Sequence, residues 1–181
     1  MTRENGKAYP PVVVVDENDN EIGSEMLADV WRKGLYHRVV LVFILDEQGR
    51  MLLQLRSPNV KIFPNCWDQA AGGHVDEGYS YDDTAAKEIA EELGLRDIQL
   101  ETLGIGRANT KLDDGRVLNR FERIYRGQIP ADSALQPDPE EVSKLQWFTP
   151  AELRRQIAEH PEIFVPTILE DLRRYFPEFI S

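Results

Sequence analysis

The alternation of apolar and polar positions predicts a chain of short strands interrupted by a few helices. Val12 to Val15 reads as a strand that ends in the turn-rich run Asp16-Glu17-Asn18-Asp19-Asn20. A short helix is expected over residues 24–31. The apolar runs 39–45 and 51–55, joined by Asp46-Glu47-Gln48-Gly49, predict a β-hairpin, and residues 56–65, with Pro58 and Pro64, predict a loop. Ala70-Ala71-Gly72-Gly73 follows, where small residues permit close backbone approach. The best-marked helix covers residues 81–93, with Ser80 as N-cap, Asp83 three residues on and Gly94 at the C-terminal end. Strands are expected over 98–105 and 117–125, around the turn Asp113-Asp114-Gly115, and over 144–148. Thr149-Pro150-Ala151-Glu152 opens another helix, and residues 162–175 predict a last one.

No repeat or low-complexity segment interrupts this order. Strands mixed with few helices predict an α/β sandwich, a mixed sheet with helices on both faces, as one domain over residues 10–181 preceded by a loose arm over 1–9. A length of 181 residues, 41% hydrophobic and 29% charged, agrees with a single core. The formal charge of -11 argues against a nucleic acid polymer as ligand, because such binding depends on clustered basic residues. A small phosphorylated ligand is compatible with it, given local cations or a bridging metal. The sole cysteine, Cys66, excludes an intrachain disulfide and fits a reducing compartment with an inert, buried thiol. The polar start MTRENGKAYPP carries no signal-like apolar stretch and no run is long enough to span a bilayer, so a cytoplasmic location away from membranes is expected.

The candidate chemistry lies on the 81–93 helix. Glu88, Glu91 and Glu92 share an arc of about 100°, beside an arc of Ala86, Ile89, Ala90 and Leu93 expected to face the sheet. Like charges at these spacings cost a helix roughly 0.2–0.5 kcal/mol per pair, so the cluster needs water or a cation. A solvated acidic face satisfies that as well as a metal does, and composition alone favours it. Magnesium is the cation that suits oxygen ligands and retained waters.

Spacing separates the two readings. Residues 73–95 resemble the Nudix box, Gly, five residues, Glu, seven residues, Arg-Glu-apolar-x-Glu-Glu-x-Gly-apolar, through Gly73, Glu88, Ile89, Glu91, Glu92, Gly94 and Leu95. Chance would produce this agreement on the order of once in a thousand chains of this length. Tyr79 and Lys87 stand where the box has its first glutamate and its arginine; a Tyr79–Lys87 hydrogen bond would restore a bracing pair, and Asp76 or Glu77 could replace the lost charge. The resemblance implies an α/β/α sandwich and magnesium, or manganese, held by Glu88, Glu92 and the Gly72 carbonyl, with Glu91 as third ligand or base. Glu141, in the Glu140-Glu141-Val142 stretch before Trp147, Thr149 and Pro150, is the rival base, on a loop that could swing over the site.

Residues 56–75 are also similar to isopentenyl diphosphate isomerase, a Nudix relative, through Arg56, Lys61, Pro64, Trp67 and the Gly73-His74 pair. That enzyme needs a cysteine where Gly72 stands; of its metal-binding histidines and strand glutamate, His37 matches one, with Val30 and Arg120 at the others' places. Arg56 and Lys61 are candidate phosphate binders, His74 a candidate phosphate contact, and Phe63 and Trp67 candidate stacking platforms, each with an ordinary structural role as the alternative. The expected activity is magnesium-dependent hydrolysis of a diphosphate bond in a nucleoside diphosphate linked to another moiety, or in a related small organic diphosphate. Isomerase-like chemistry and a non-catalytic nucleotide-binding module are the alternatives, and a homodimer is plausible by analogy.

Overall fold

A computed structural model describes residues 10–112 and 114–181; the expected arm and Asp113 of the expected turn lie outside the described residues. The elements in order are β1 (Val12–Val15), β2 (Glu21–Glu25), α1 (Leu27–Lys33), β3 (Tyr36–Leu45), β4 (Met51–Arg56), β5 (Trp67–Asp68), β6 (Ala71–His74), α2 (Tyr81–Glu92), β7 (Leu100–Lys111), β8 (Val117–Gln128), β9 (Val142–Phe148), α3 (Pro150–Glu159) and α4 (Pro166–Tyr175). Single 3₁₀ turns, Pro161–Ile163 and Pro177–Phe179, flank α4.

β3 is the hub of one mixed sheet. It runs antiparallel to β1, β4 and β6 and parallel to β8, while β7 pairs with β8, and β5 and β9 pair with β4. A strand paired and covered on both sides must be apolar in both directions. Val40, Val42 and Ile44 pack in one layer with Ala85 and Ile89 of α2 and its C-cap Leu93. Val39, Leu41, Phe43 and Leu45 pack in the other with Leu153 of α3 and Ile168, Leu172 and Phe176 at the C-terminal end. Each such side chain contributes roughly 1.5–3 kcal/mol on burial. The result is the α/β/α sandwich with a mixed sheet, and α1 covers an edge through Val30, packed on Val12 and Val14.

Both hairpin strands, the 56–65 loop, and the Ser80 and Thr149 capping boxes form where the sequence places them. Four expectations change. The helix expected from residue 24 begins at Leu27, because Ser24 and Glu25 belong to β2, an exposed edge strand paired with β1 through its backbone and marked by no apolar period. β7 and β8 extend to a Lys111↔Val117 pair, well past the expected end at 105, since exposed residues of a paired ribbon carry no hydrophobic signal. The helix expected over 162–175 divides into the 3₁₀ turn and α4 at Pro166, which cannot donate to a continuing helix. Finally, α2 is rotated from the expected arc. Ala86 is exposed, Tyr81, Thr84, Ala85 and Ile89 face inward, and Glu88 and Glu92 go in with them.

Candidate active site

The floor of the site is β6, laid antiparallel against β3 with Gly73 opposite Val40 and Gly72 opposite Leu41. Gly73 has to be glycine here, because a β-carbon would stand 2.5 and 2.8 Å from the two Glu88 carboxyl oxygens. Glu88 therefore rests directly on the strand backbone. One helical turn on, Glu92 Oε2 accepts from the Gly72 amide and from Gln54 Nε2, each at 3.1 Å. Both carboxyls are buried, at 7% and 5% exposure, figures that exclude the solvated acidic face.

Burial raises the Glu88 pKa to about 7, opposed by the Lys87 ammonium and reinforced by the charges of Glu91 and Glu141. Glu92 is raised well above the usual carboxylate range, first by burial and then by repulsion from Glu88 and Glu141. Two such carboxyls side by side are stable either sharing a proton or facing a cation. Hard oxygen donors of this type fit magnesium or manganese, which are commonly held by one or two carboxylates with waters completing the shell. Among the described residues no three His, Cys, Asp or Glu side chains are already gathered as a complete metal cage.

Glu91 is the outermost of the three acids, though its charge still acts on Glu88. Its side chain is 53% exposed and lies 3.3 Å from Lys87 Nζ, on the outer shoulder of α2. Lys87 also reaches Glu88 at 3.1 Å and Asp76 at 3.7 Å. The replaced box pair is thus bridged by Asp76 and Lys87, while the expected Tyr79–Lys87 bond gives way to a half-exposed Tyr79 and Glu77 accepts instead from Ser24 Oγ. Glu141 lies within electrostatic reach of both Glu88 and Glu92. Its backbone carbonyl accepts from Ser57 N at 2.8 Å just before β9 begins.

The expected substrate contacts divide. Arg56, half-buried, donates to Asp68 Oδ2 and to the Ile62 carbonyl, both at 3.1 Å, and its charge is felt at Glu92. Lys61 stands exposed on the loop beyond it. Phe63 and Trp67 pack on the core of the α3–α4 layer, Trp67 edge-on to Phe148 at 5.1 Å, so core packing rather than an open platform describes them. The Cys66 thiol is half-buried and held protonated by burial. His74 alternates to the opposite side of β6 from Gly73. There it stacks on His37 with ring centres 5.3 Å apart, and burial holds it neutral.

Sequence reasoning did not find Gln54, whose signal is a lone polar residue inside the apolar run MLLQLR. It also did not find Asp68, opposite Gln54 on the neighbouring strand, or Glu122 and Asp171, buried carboxyls that no motif marks. Around them, buried atoms of His37, Arg120, Glu122 and Asp171 have no hydrogen-bond partner. Of these, Arg120 Nη2 and Glu122 Oε1 stand 2.9 Å apart as an ion pair, whereas a buried atom with no partner costs on the order of 1–3 kcal/mol.

The NUDIX domain family model matches residues 35–168. Among curated proteins, the chain is 36% identical over 166 residues to an isopentenyl-diphosphate Delta-isomerase of Nocardia farcinica, covering 90% of this chain and 92% of that one. It is 33% identical over 157 residues to an uncharacterized Nudix hydrolase of Streptomyces coelicolor, covering 84% and 81%. Among solved structures, that of the Deinococcus radiodurans protein DR0079 superposes with a TM-score of 0.73 at 27% identity, covering 92% of this chain and 99% of the other. With its box geometry, sandwich and relatives in agreement, the chain belongs to the Nudix family.

Proposed function

We propose that this protein hydrolyses a diphosphate bond in a small organic diphosphate, such as a nucleoside diphosphate joined to another group, with a magnesium or manganese ion at Glu88, Glu92 and the Gly72 carbonyl. The observation that carries this reading is the pair of buried, mutually repelling carboxyls over β6, one of them oriented by Gly72 and Gln54. A bound divalent ion would neutralise phosphate oxygens and acidify the attacking water. Glu141 then takes the water's proton, a role its position near both ligands supports better than that of Glu91, which Lys87 engages. Arg56 and Lys61 meet the phosphate on the loop side. The lone cysteine and the lack, among the described residues, of a helix long and apolar enough to cross a membrane favour a cytoplasmic setting.

A second reading is isomerisation of isopentenyl diphosphate, favoured by the name of the Nocardia relative. Gly72 stands at the cysteine position and Arg120 at the position of a metal-binding carboxylate, which favours hydrolysis. Purified protein is incubated with magnesium and a panel of nucleoside diphosphate derivatives and isopentenyl diphosphate, with and without chelator. Chelator-sensitive phosphate products are expected, and Glu92→Gln lowers the rate by at least about 100-fold, the scale of a lost metal or acid–base function. An isomerised product, or a Glu92→Gln variant with full turnover, contradicts the proposal.

A further inference from the structure

Residues 57–65 leave the sheet after β4 and return to it before β5. The backbone closes this loop at its foot, where Arg56 N donates to the Cys66 carbonyl at 2.9 Å and Asn65 N to the Arg56 carbonyl at 3.2 Å. Its crown is not relaxed. Phe63 and Asn65 hold φ angles of 49° and 60°, a left-handed backbone that is unusual for a bulky side chain and persists only where surrounding contacts impose it. One such contact comes from the Arg56 side chain, which reaches across the loop so that Nε donates to the Ile62 carbonyl at 3.1 Å, immediately before Phe63. The same loop carries Lys61.

Asp68 holds Arg56 from the other end. Nη1 of the arginine donates to Asp68 Oδ2 at 3.1 Å, while Asp68 Oδ1 accepts from the Gln69 amide at 3.1 Å, so both carboxyl oxygens are engaged. Asp68 is buried, and a carboxyl so deeply placed is costly unless a charge is matched to it. Burial pushes its pKa up, and Arg56 is first among the groups that hold it down. The metal site does not use this pair, since Glu88 and Glu92 take their hydrogen bonds from Lys87, Gly72 and Gln54. Yet the pair stands beside that site: Asp68 is the cross-strand neighbour of Gln54, and Arg56, two residues along β4, lies on the same side. With Nε and Nη1 engaged, Nη2 has no acceptor among the described residues and is the nitrogen left to meet a phosphate oxygen. A planar guanidinium already held at two points loses less freedom on binding than a loose side chain.

We infer that Asp68 is a positioning residue for diphosphate recognition: through Arg56 and the Ile62 carbonyl it sets the guanidinium and the 57–65 loop, with its Lys61, as one phosphate-binding unit. This rests on the diphosphate reading above. The test titrates the full chain in magnesium with methylene diphosphonate, a non-hydrolysable diphosphate, by calorimetry, and separately with manganese alone, followed by electron paramagnetic resonance. Asp68→Asn keeps the shape and the acceptor for Gln69 and loses the charge. It is expected to weaken methylene diphosphonate by about 10-fold, the lower end of what a hydrogen bond to a charged group contributes, and to change manganese affinity by less than about 2-fold. Arg56→Lys keeps the charge without the fork and weakens the diphosphonate by a similar factor; adding Asp68→Asn to it costs less than about 2-fold more, because both act through one contact. An equal loss of manganese affinity in Asp68→Asn, or additive losses in the double variant, overturns the inference. Should Asp68→Asn fail to fold, Arg56→Lys decides alone, since diphosphonate bound as tightly as by the parent shows that no fixed fork is needed. Asp68-sensitive diphosphonate binding with no magnesium-dependent cleavage of any diphosphate in the panel leaves the positioning role standing and removes the hydrolase. Magnesium-dependent cleavage with KM and diphosphonate affinity unchanged in Asp68→Asn does the reverse.

Discussion

The two faces of the sheet bury carboxyls in opposite ways. Over β6, Glu92 accepts from a backbone amide and a glutamine, and Glu88 accepts from Lys87, so both acids are oriented before any ligand arrives. Under α4, Glu122 and Asp171 are just as deeply buried, but Glu122 has an ion pair with Arg120 that is not aligned as a hydrogen bond, and Asp171 Oδ2 has no hydrogen-bond partner. A satisfied polar network fixes one geometry, while an unsatisfied one costs free energy until something completes it. The α2 face is built to hold reacting groups still; the α4 face stays incomplete.

The comparison breaks most directly at Gly73. Gly73→Ala puts a β-carbon against the Glu88 carboxyl, and a displacement near 1 Å costs on the order of 100-fold in turnover, with roughly 1–3 kcal/mol of stability lost to overpacking. Steady-state rates with a magnesium titration check it; near-parental turnover would mean that Glu88 needs no fixed seat. Next in size, Glu141→Gln is expected to lower kcat by about 10- to 100-fold and Glu91→Gln by less than about 3-fold, because Glu141 is near both buried acids and Glu91 is on the exposed shoulder with Lys87. The reverse ranking would return the base to the helix.

These two faces were unequally legible in the sequence. The box spacing located Glu88 and Glu92, and their burial followed from a rotation of α2 that the helical period left open by one residue, as Ala86 shows. Glu91 looked equivalent to them because residues 91 and 92 are adjacent, yet a step of about 100° takes one outward and the other inward. Gln54 was visible as a polar interruption of an apolar strand, without any indication that it reaches Glu92. Asp171 and Glu122 were not legible at all: they meet only because β8 runs parallel to β3 and α4 crosses beneath, a relation between segments far apart in the chain. β2 was missed for a related reason, since backbone pairing at an exposed edge leaves no trace in side-chain pattern.

The smallest expected effect tests the incomplete face by itself. Burial, with the neighbouring charges of Glu122, Asp68 and Glu170 outweighing Arg120, raises the Asp171 pKa from 3.8 to about 8. Folding therefore takes up a proton at this side chain between those values. Below about pH 4 the carboxyl is neutral in both states and contributes no penalty; from there the folded state loses stability as pH rises, until ionisation near pH 8 ends the dependence. Asp171→Asn cannot ionise. Its stability should match the parent at pH 4 and exceed it increasingly toward pH 8, by roughly 1–3 kcal/mol, the cost of an uncompensated buried polar group. Chemical denaturation at pH 4, 6 and 8 measures the gap. A difference that stays constant across the series would show that Asp171 has other partners under α4 and that the two faces are more alike than their hydrogen bonds indicate.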